Sequence, residues 1–537
     1  MKRNPAAHWI IAASLLVAGS CAPASQGSLA GPHTPYDTAE AERTFASAYS
    51  TIVERHLERI TAAAVAMEGM RGLGSIDPEI GLSHLDGKVL LTAADHVVAE
   101  YPAPEDHDIK GWARLTVTAA LEARGVSAAV RDADVDKVFE AVFDATLSKL
   151  DVFSRYAGPK EAREHRASRN GFGGIGVKFD LVEGEAKVIE VMEDTPAARA
   201  GLQVGDIISQ IEGRSVAGTA KEDISRLLRG PVSSDLALTV RRGFKPIDVA
   251  LKRALIVPIT VTATLKAGGI GEFRVSSFNQ RTAASLAAEI KTLTESNGAP
   301  LSGVVLDMRG NPGGLLDQAV AMADLFMKDG AIVTTRGRHP LSVQAYDARE
   351  GEAAEDIPVV VLVDGKSASA AEIVAAALQD SGRAVVVGTN SYGKGTVQTV
   401  VRLPNDGEMT LTWSRFHTPS GYALHGLGVL PTICTADDKG GADGMMAGIV
   451  HASAPAAPVS TNLTLWRHAR LEDTDLRSQL RTTCPSAKRD GAFDLELAER
   501  LLADQALYRH ALTLSAPAAA PSAAQAAPAA MVQQVEH

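Results

Sequence analysis

Three short apolar runs punctuate the middle of this chain, at residues 304–308, 359–363 and 384–388. Valine dominates them, and brief runs rich in β-branched residues suit buried strands. Helical patterns alternate with them, at residues 283–294, 315–327 and 370–379. Strands and helices in alternation imply an α/β domain. At 537 residues the chain is too long for that domain alone and points to roughly three to four folded units.

The remaining segments divide around this core. Residues 37–160 read as a helical N-terminal region: Phe45, Tyr49, Ile52, His56 or Leu57, and Ile60 recur at three- and four-residue steps. Over residues 135–150, Val138, Val142, Phe143 and Leu147 form one face. Residues 168–245 change texture, with short apolar stretches broken by Gly, Asp and Pro, as in a small domain of strands with helices. The α/β core spans 246–435 and a C-terminal region spans 436–514. Within the latter, the Gly- and Ala-rich stretch 440–460 reads as a loop and 494–512 as a short helical segment. Residues 515–537 are mostly Ala and Pro and read as a disordered tail.

The first 24 residues read as an export signal: Lys2 and Arg3, an apolar stretch over 10–17, then small residues around Cys21. The apolar stretch is too short to span a bilayer comfortably. Cys21 after small residues resembles a bacterial lipobox, with Ala18 where Leu is usual; ordinary cleavage near Ala24 is the alternative. Residues 25–36 then form a tether, and the expected location is the periplasm, with membrane attachment only through a lipid on Cys21. Cys434 and Cys484 remain, either as a bridge permitted by an oxidising compartment or as two buried thiols. The net charge of −11 argues against a nucleic-acid partner. No Cys or His cluster with metal-ligand spacing is present, and no HExxH.

Four motifs carry chemistry. The segment DGKSASAAE at 364–372 follows an apolar run and opens a helix. A hydroxyl there lies at the positive end of a helix dipole beside free N–H groups, which suits a nucleophile whose product is an oxyanion. The plainer reading is that Ser367 or Ser369 caps the helix. A serine nucleophile needs a base, and Lys394, in GTNSYGKGT at 388–396, is the candidate. One helix and one strand separate it from Ser369, so its loop can fold back beside the helix start. Lysine acts as a base only when neutral, and burial depresses its pKa. The same segment nearly matches a phosphate-binding loop, but Gly395 stands where Ser or Thr would hold magnesium.

The third motif, LDMRGNPGG at 306–314, runs from a strand into a Gly-rich turn. Gly313 or Gly314 can supply an oxyanion donor alongside the N–H of Ala370, or the turn is simply a tight β–α connection. The fourth is Gly173-Gly174-Ile175-Gly176-Val177. Consecutive N–H groups at Gly174, Ile175 and Gly176 can take a peptide's terminal carboxylate while a strand edge pairs with the peptide. A structural glycine turn is the alternative.

Together these motifs resemble those of the carboxyl-terminal processing peptidases, or tail-specific proteases, over residues 150–433 and in the right order. DVFSRY at 151–156 resembles the family's lead-in to its PDZ domain, and residues 173–206 resemble that domain. Residues 307–314 match the oxyanion turn, 369–372 the nucleophile motif, with Ala371 where Ser is usual, and 393–398 the base motif. Residues 418–421 and 425–429 match a region closing the core, followed by Thr432 where Asp is typical. The resemblance implies a multidomain α+β protein: a helical N-terminal region, a PDZ-like domain, and an α/β core of ClpP/crotonase type. It implies Ser369 as nucleophile, Lys394 as base, Gln398 orienting Lys394, and Asp380 near the site. It further implies a serine endopeptidase that takes unstructured apolar C-termini of proteins, needs no cofactor, and works with an adaptor or as a homo-oligomer. A non-catalytic PDZ adaptor and an acyl-CoA enzyme of the crotonase kind are rival readings. The intact Ser369, Lys394 and Gln398 speak against the first, and the PDZ-like module against the second.

Overall fold

Alternation along the central strands sets the layers of the core. In the computed structural model, which describes residues 37–349, 354, 357–437, 440–452, 458–489 and 491–515, a six-stranded sheet holds all three apolar runs. Its strand order is Val261–Leu265, Ile270–Val275, Gly303–Asp307, Val359–Val363, Ala384–Gly388, Ile433–Cys434. The first pair is antiparallel and the rest are parallel. Successive side chains point to opposite faces. Thus Val359, Val361 and Val363 join Leu306 and Val386 against the helices Thr282–Asn297, Leu316–Asp324 and Ala370–Asp380. Val360 and Leu362 join Val305, Val385 and Val387 on the other face, against the helices Gly441–His451, Phe493–Ala503 and Gln505–Ser515. With helices on both faces, the three central strands Gly303–Asp307, Val359–Val363 and Ala384–Gly388 are buried throughout, which is why they read as apolar runs.

The C-terminal region therefore covers one face of the core. This corrects two expectations. Much of the stretch 440–460 is helical: Gly441–His451 forms one helix and Pro458–His468 another. Glycine lowers intrinsic helix propensity, but Ala442 and Ile449 gain burial in the cluster shared with the sheet and the last two helices, and that packing overrides the local preference. The predicted helix over 494–512 is two helices, Phe493–Ala503 and Gln505–Ser515, broken at the extended residue Asp504. Cys434 and Cys484 form a disulfide that joins the last core strand to the segment after the helix Thr474–Arg481.

The N-terminal region packs the helices Thr38–Arg55, Ala62–Arg71, Ile109–Val126 and Val135–Leu150 around Phe45, Tyr49, Trp112 and Phe143. Asp37 caps the first helix, accepting from the N–H groups of Ala39 and Glu40. The region is not wholly helical. Ile80–Leu85, Lys88–Ala93 and His96–Pro102 form an antiparallel sheet. Its first turn is Asp86-Gly87, with φ of 50° and 73°, the positive pair a two-residue hairpin requires. Asp-Gly between two strand-length stretches is itself a hairpin signal, so the reading of 37–160 as helical does not hold over residues 80–102.

Residues 172–252 form the small strand-rich unit. Its sheet runs Lys245–Lys252, Asp235–Arg242, Ile207–Ile211, Glu185–Val191, Val177–Val182, with the helix Lys221–Leu228 packed on it through Ile224 and Leu228. Val177–Val182 is an edge strand. A further sheet, Gln344–Asp347, Ala331–Gly337, Glu408–His417 and Thr396–Arg402, flanks the core, and Arg155–Ala157 pairs onto it. No described helix is long and apolar enough to cross a membrane. The residues read as an export signal, a tether and a terminal tail lie outside the described residues, apart from Ser515.

Candidate active site

Strand Val359–Val363 delivers the chain into a turn organised by the buried Asp364. Its carboxylate accepts from the N–H groups of Gly310 (2.8 Å), Lys366 (2.9 Å) and Ser367 (3.0 Å). The Ser367 hydroxyl donates to the Met308 carbonyl (2.8 Å) and accepts from the Asp364 N–H (2.9 Å). Ser367 is wholly buried and its hydroxyl is consumed by the turn. Ser369 is partly exposed and begins the helix Ala370–Asp380 with φ 54° and ψ −114°. Positive φ is uncommon for a side-chain-bearing residue and costs about 1–3 kcal/mol, so the surroundings must hold it.

Glu372 does part of the holding. It is fully buried, one turn into the helix. Its Oε2 accepts from the N–H groups of Ser369 (2.7 Å) and Lys394 (2.9 Å). Its Oε1 accepts from the Gly393 N–H (2.6 Å) and the Ser391 hydroxyl (2.5 Å). One carboxylate thus ties the Ser369 turn to the Lys394 loop. Burial pushes its pKa above the ordinary carboxylate value, and these four donors pull it only part of the way back. Gly313 closes the turn from the other side. A Cβ there would lie 2.8 Å from the Ala368 carbonyl and 2.9 Å from the Ser369 Cβ, so only glycine fits. The Gly313 N–H is already bonded to Asn311 Oδ1 (2.8 Å), while Gly314 is exposed. Ala370 occupies the first helical position, where the N–H has no partner within the helix.

Lys394 follows Gly393, whose φ is 91°. Burial lowers the lysine pKa, and the nearby Arg155 guanidinium lowers it further; Glu372 and Asp151 oppose both. Its Nζ lies 5.1 Å from the centre of the Phe153 ring. Gln398 sits two residues into the strand Thr396–Arg402, where its amide nitrogen donates to the Thr396 hydroxyl (2.8 Å) and toward Thr412 Oγ1 (3.4 Å). Neither bond reaches Lys394. Ser369, Ala370, Gly313, Gly314, Lys394 and Gln398 line one cleft of about 490 Å³, together with Arg155, Arg169 and Phe278. Asp380, at the far end of the helix, is paired with Arg467 (2.9 Å) and accepts from the Ser420 hydroxyl (2.7 Å), and it does not line this cleft.

Gly174, Ile175 and Gly176 lie at a second, smaller hollow, of about 70 Å³, between the edge strand Val177–Val182 and the end of the helix Lys221–Leu228. The Ile175 side chain is buried in the unit's core, and the carbonyls of Ile175 and Gly176 accept from Ala197 and Met192 N–H (2.9 Å each). Gly176 has φ 84°, and a Cβ there would come within 2.3 Å of Thr195.

Residues 269–435 match the model of Peptidase family S41, and residues 187–242 match that of a PDZ domain. The chain is 40% identical over 304 residues to a carboxy-terminal-processing protease of Bartonella bacilliformis, covering 56% of this chain and 70% of the relative. The chain belongs to peptidase family S41. It is 34% identical over 303 residues to the carboxy-terminal processing protease CtpA of Bacillus subtilis, covering 56% of this chain and 64% of that one. Among solved structures, a photosystem II D1 C-terminal processing protease is 28% identical, covering 55% of this chain and 81% of that chain, with a TM-score of 0.33.

This peptidase is thus a serine-type carboxy-terminal processing enzyme with a PDZ domain, and its mixed α/β core carries the cleft. Glu372 stands within the nucleophile motif, where the sequence assigns it no role. Its one local signal was the spacing Ser369 to Glu372, which is that of a capping box. Phe153 and Arg155, which border Lys394, stand in the DVFSRY segment far from it in the chain. No periodicity connects the two segments; the strand Glu408–His417 does, pairing with both Arg155–Ala157 and Thr396–Arg402, the strand that follows Lys394.

Proposed function

We propose that this S41 peptidase captures the C-terminus of an unfolded protein on its PDZ domain and hydrolyses peptide bonds with a Ser369/Lys394 dyad. The observation that carries this reading is the common cleft: a strained, partly exposed serine at a helix N-terminus and a half-buried lysine with a depressed pKa, both tethered to one carboxylate. Neutral Lys394 accepts the hydroxyl proton as Ser369 Oγ attacks the scissile carbonyl. The oxyanion takes the Ala370 N–H and the N–H of Gly314, because the Gly313 N–H is bonded elsewhere. The amine leaves with the proton from Lys394, and water, deprotonated by the same lysine, releases the acyl group. Gln398 shapes the cleft wall beside the base. The substrate tail adds to the edge strand Val177–Val182 with its carboxylate at Gly174-Ile175-Gly176. Export to the periplasm with a lipid on Cys21 completes the proposal, and the Cys434–Cys484 bridge supports an oxidising compartment.

The test is a tailed peptide and its C-terminally amidated twin, digested by wild type, Ser369→Ala and Lys394→Ala. Only wild type should cut, and it should favour the free carboxylate. Cleavage by folded Lys394→Ala would overturn the dyad, and equal rates on the twins would overturn tail capture. Cys21→Ser should move the exported protein from the membrane to the soluble fraction; a wild type that is already soluble would refute the anchor.

A further inference from the structure

The helix Thr474–Arg481 lies beyond residues 269–435, the span matched by the S41 family, yet it abuts the loop that carries Lys394. Arg481, its last residue, donates from Nη1 to the Leu427 carbonyl (2.6 Å) and from Nη2 to the Ser391 carbonyl (3.2 Å). Ser391 is the residue whose hydroxyl donates to Glu372. The same hydroxyl accepts from the Val429 N–H (2.8 Å), and Gly426 N–H donates to the Gly393 carbonyl (2.8 Å). Loops 391–394 and 426–429 are therefore stitched together, and the guanidinium fork bridges both from behind. Such a fork offers several donors in fixed geometry and stays charged at any working pH.

Charge gives the second argument. Glu372 is wholly buried, and a buried carboxylate is costly without a counter-charge. The cations that face this region are Lys394, Arg155 and Arg481, with Arg477 behind Arg481 and Asp151 the other acid near the lysine. Lys394 must shed its proton to act as a base, and Arg155 acts on Lys394. Arg481 is a permanent cation that interacts with the carboxylate. The disulfide at Cys484, three residues on, fastens this end of the segment to the core strand Ile433–Cys434.

We propose that Arg481 is a positioning residue for peptide hydrolysis, holding Glu372 and the 391–394 loop so that Ser369 and Lys394 keep their mutual register. The C-terminal helical segment is thereby part of the catalytic apparatus. This rests on the Ser369/Lys394 reading.

Arg481→Ala and Arg481→Lys, each in the full chain, test it on a tailed peptide. Arg481→Ala should lose about 10²-fold in kcat, the scale of a small misplacement of reacting groups, with KM within twofold. A residue that only braces the fold would lower Tm and leave kcat per folded molecule unchanged. Arg481→Lys keeps the charge and loses the fork, so it should restore part of kcat. Guanidinium ion added to Arg481→Ala should raise kcat. Wild-type kcat in folded Arg481→Ala, a loss confined to KM, or no rescue by guanidinium overturns the proposal. If Arg481→Ala does not fold, Arg481→Lys decides: a fall in kcat at unchanged Tm supports it, wild-type kcat overturns it, and unfolding of both variants overturns it in favour of bracing alone. Activity retained by Lys394→Ala would defeat the dyad itself, whereas an inactive Lys394→Ala beside a fully active Arg481→Ala defeats only this inference.

Discussion

Glu372→Gln changes one atom and leaves the shape of the side chain intact, so its cost can be worked from the four bonds. The carboxylate accepts two donors on each oxygen. Glutamine replaces one oxygen with an NH2 group. Placed at the Oε2 position, that group would face two backbone N–H donors, those of Ser369 and Lys394, and both would be orphaned. Placed at Oε1 it would face the Gly393 N–H and a hydroxyl, and the Ser391 hydroxyl can rotate to accept. The second orientation is preferred; it strands the buried Gly393 N–H, which costs about 1–3 kcal/mol, and takes from the Ser391 hydroxyl proton its acceptor. The bonds to Ser369 and Lys394 survive, but without charge assistance they lose about half their strength. Relief of a buried charge offsets part of this, so the net loss of stability should be about 1–3 kcal/mol. The effect on rate should be larger, because the positive φ of Ser369 and the position of Lys394 both lean on this group. A fall of about 10²-fold in kcat with little change in KM is expected. Thermal unfolding and steady-state cleavage of a tailed peptide give both numbers. A Glu372→Gln protein with wild-type kcat would refute the claim that this carboxylate aligns the dyad.

Arg155→Gln removes the cation that depresses Lys394, so the rising limb of activity should shift to higher pH in a kcat/KM profile. For the wild type, the depressed lysine binds fewer protons folded than unfolded, so the fold gains stability as pH rises between the folded-state and free-lysine values; calorimetry across that window checks the sign. Gly176→Ala sets a Cβ against Thr195 at a positive φ, and should abolish binding of a C-terminal peptide by calorimetry while sparing cleavage of a short untailed peptide. Paired Cys434→Ser and Cys484→Ser substitutions open a loop with a sequence separation of 50, worth about 4 kcal/mol in the chain-entropy picture, and denaturant unfolding should show most of it.

What the chain of residues specified unaided was local and periodic. Apolar runs marked the three buried strands, the face of Val138, Val142, Phe143 and Leu147 marked the helix Val135–Leu150, and the turns at 364–369 and 388–395 placed two chemically apt side chains at strand ends. These signals survive because strand and helix periods are set by backbone geometry that each residue reports on directly. Partnership was decided by folding. A strand buried on both faces reads the same whatever covers it, so nothing in 359–363 announced that the helices Phe493–Ala503 and Gln505–Ser515 form its second cover. Between Ser367 and Ser369, a choice left to family resemblance in the sequence, the fold adds one physical observation: the Ser367 hydroxyl is the one that donates to the Met308 carbonyl. The role of Glu372 was silent for the plainest reason: three of its four donors are backbone N–H groups, which nearly every residue possesses, so the sequence around them holds no trace of the bond.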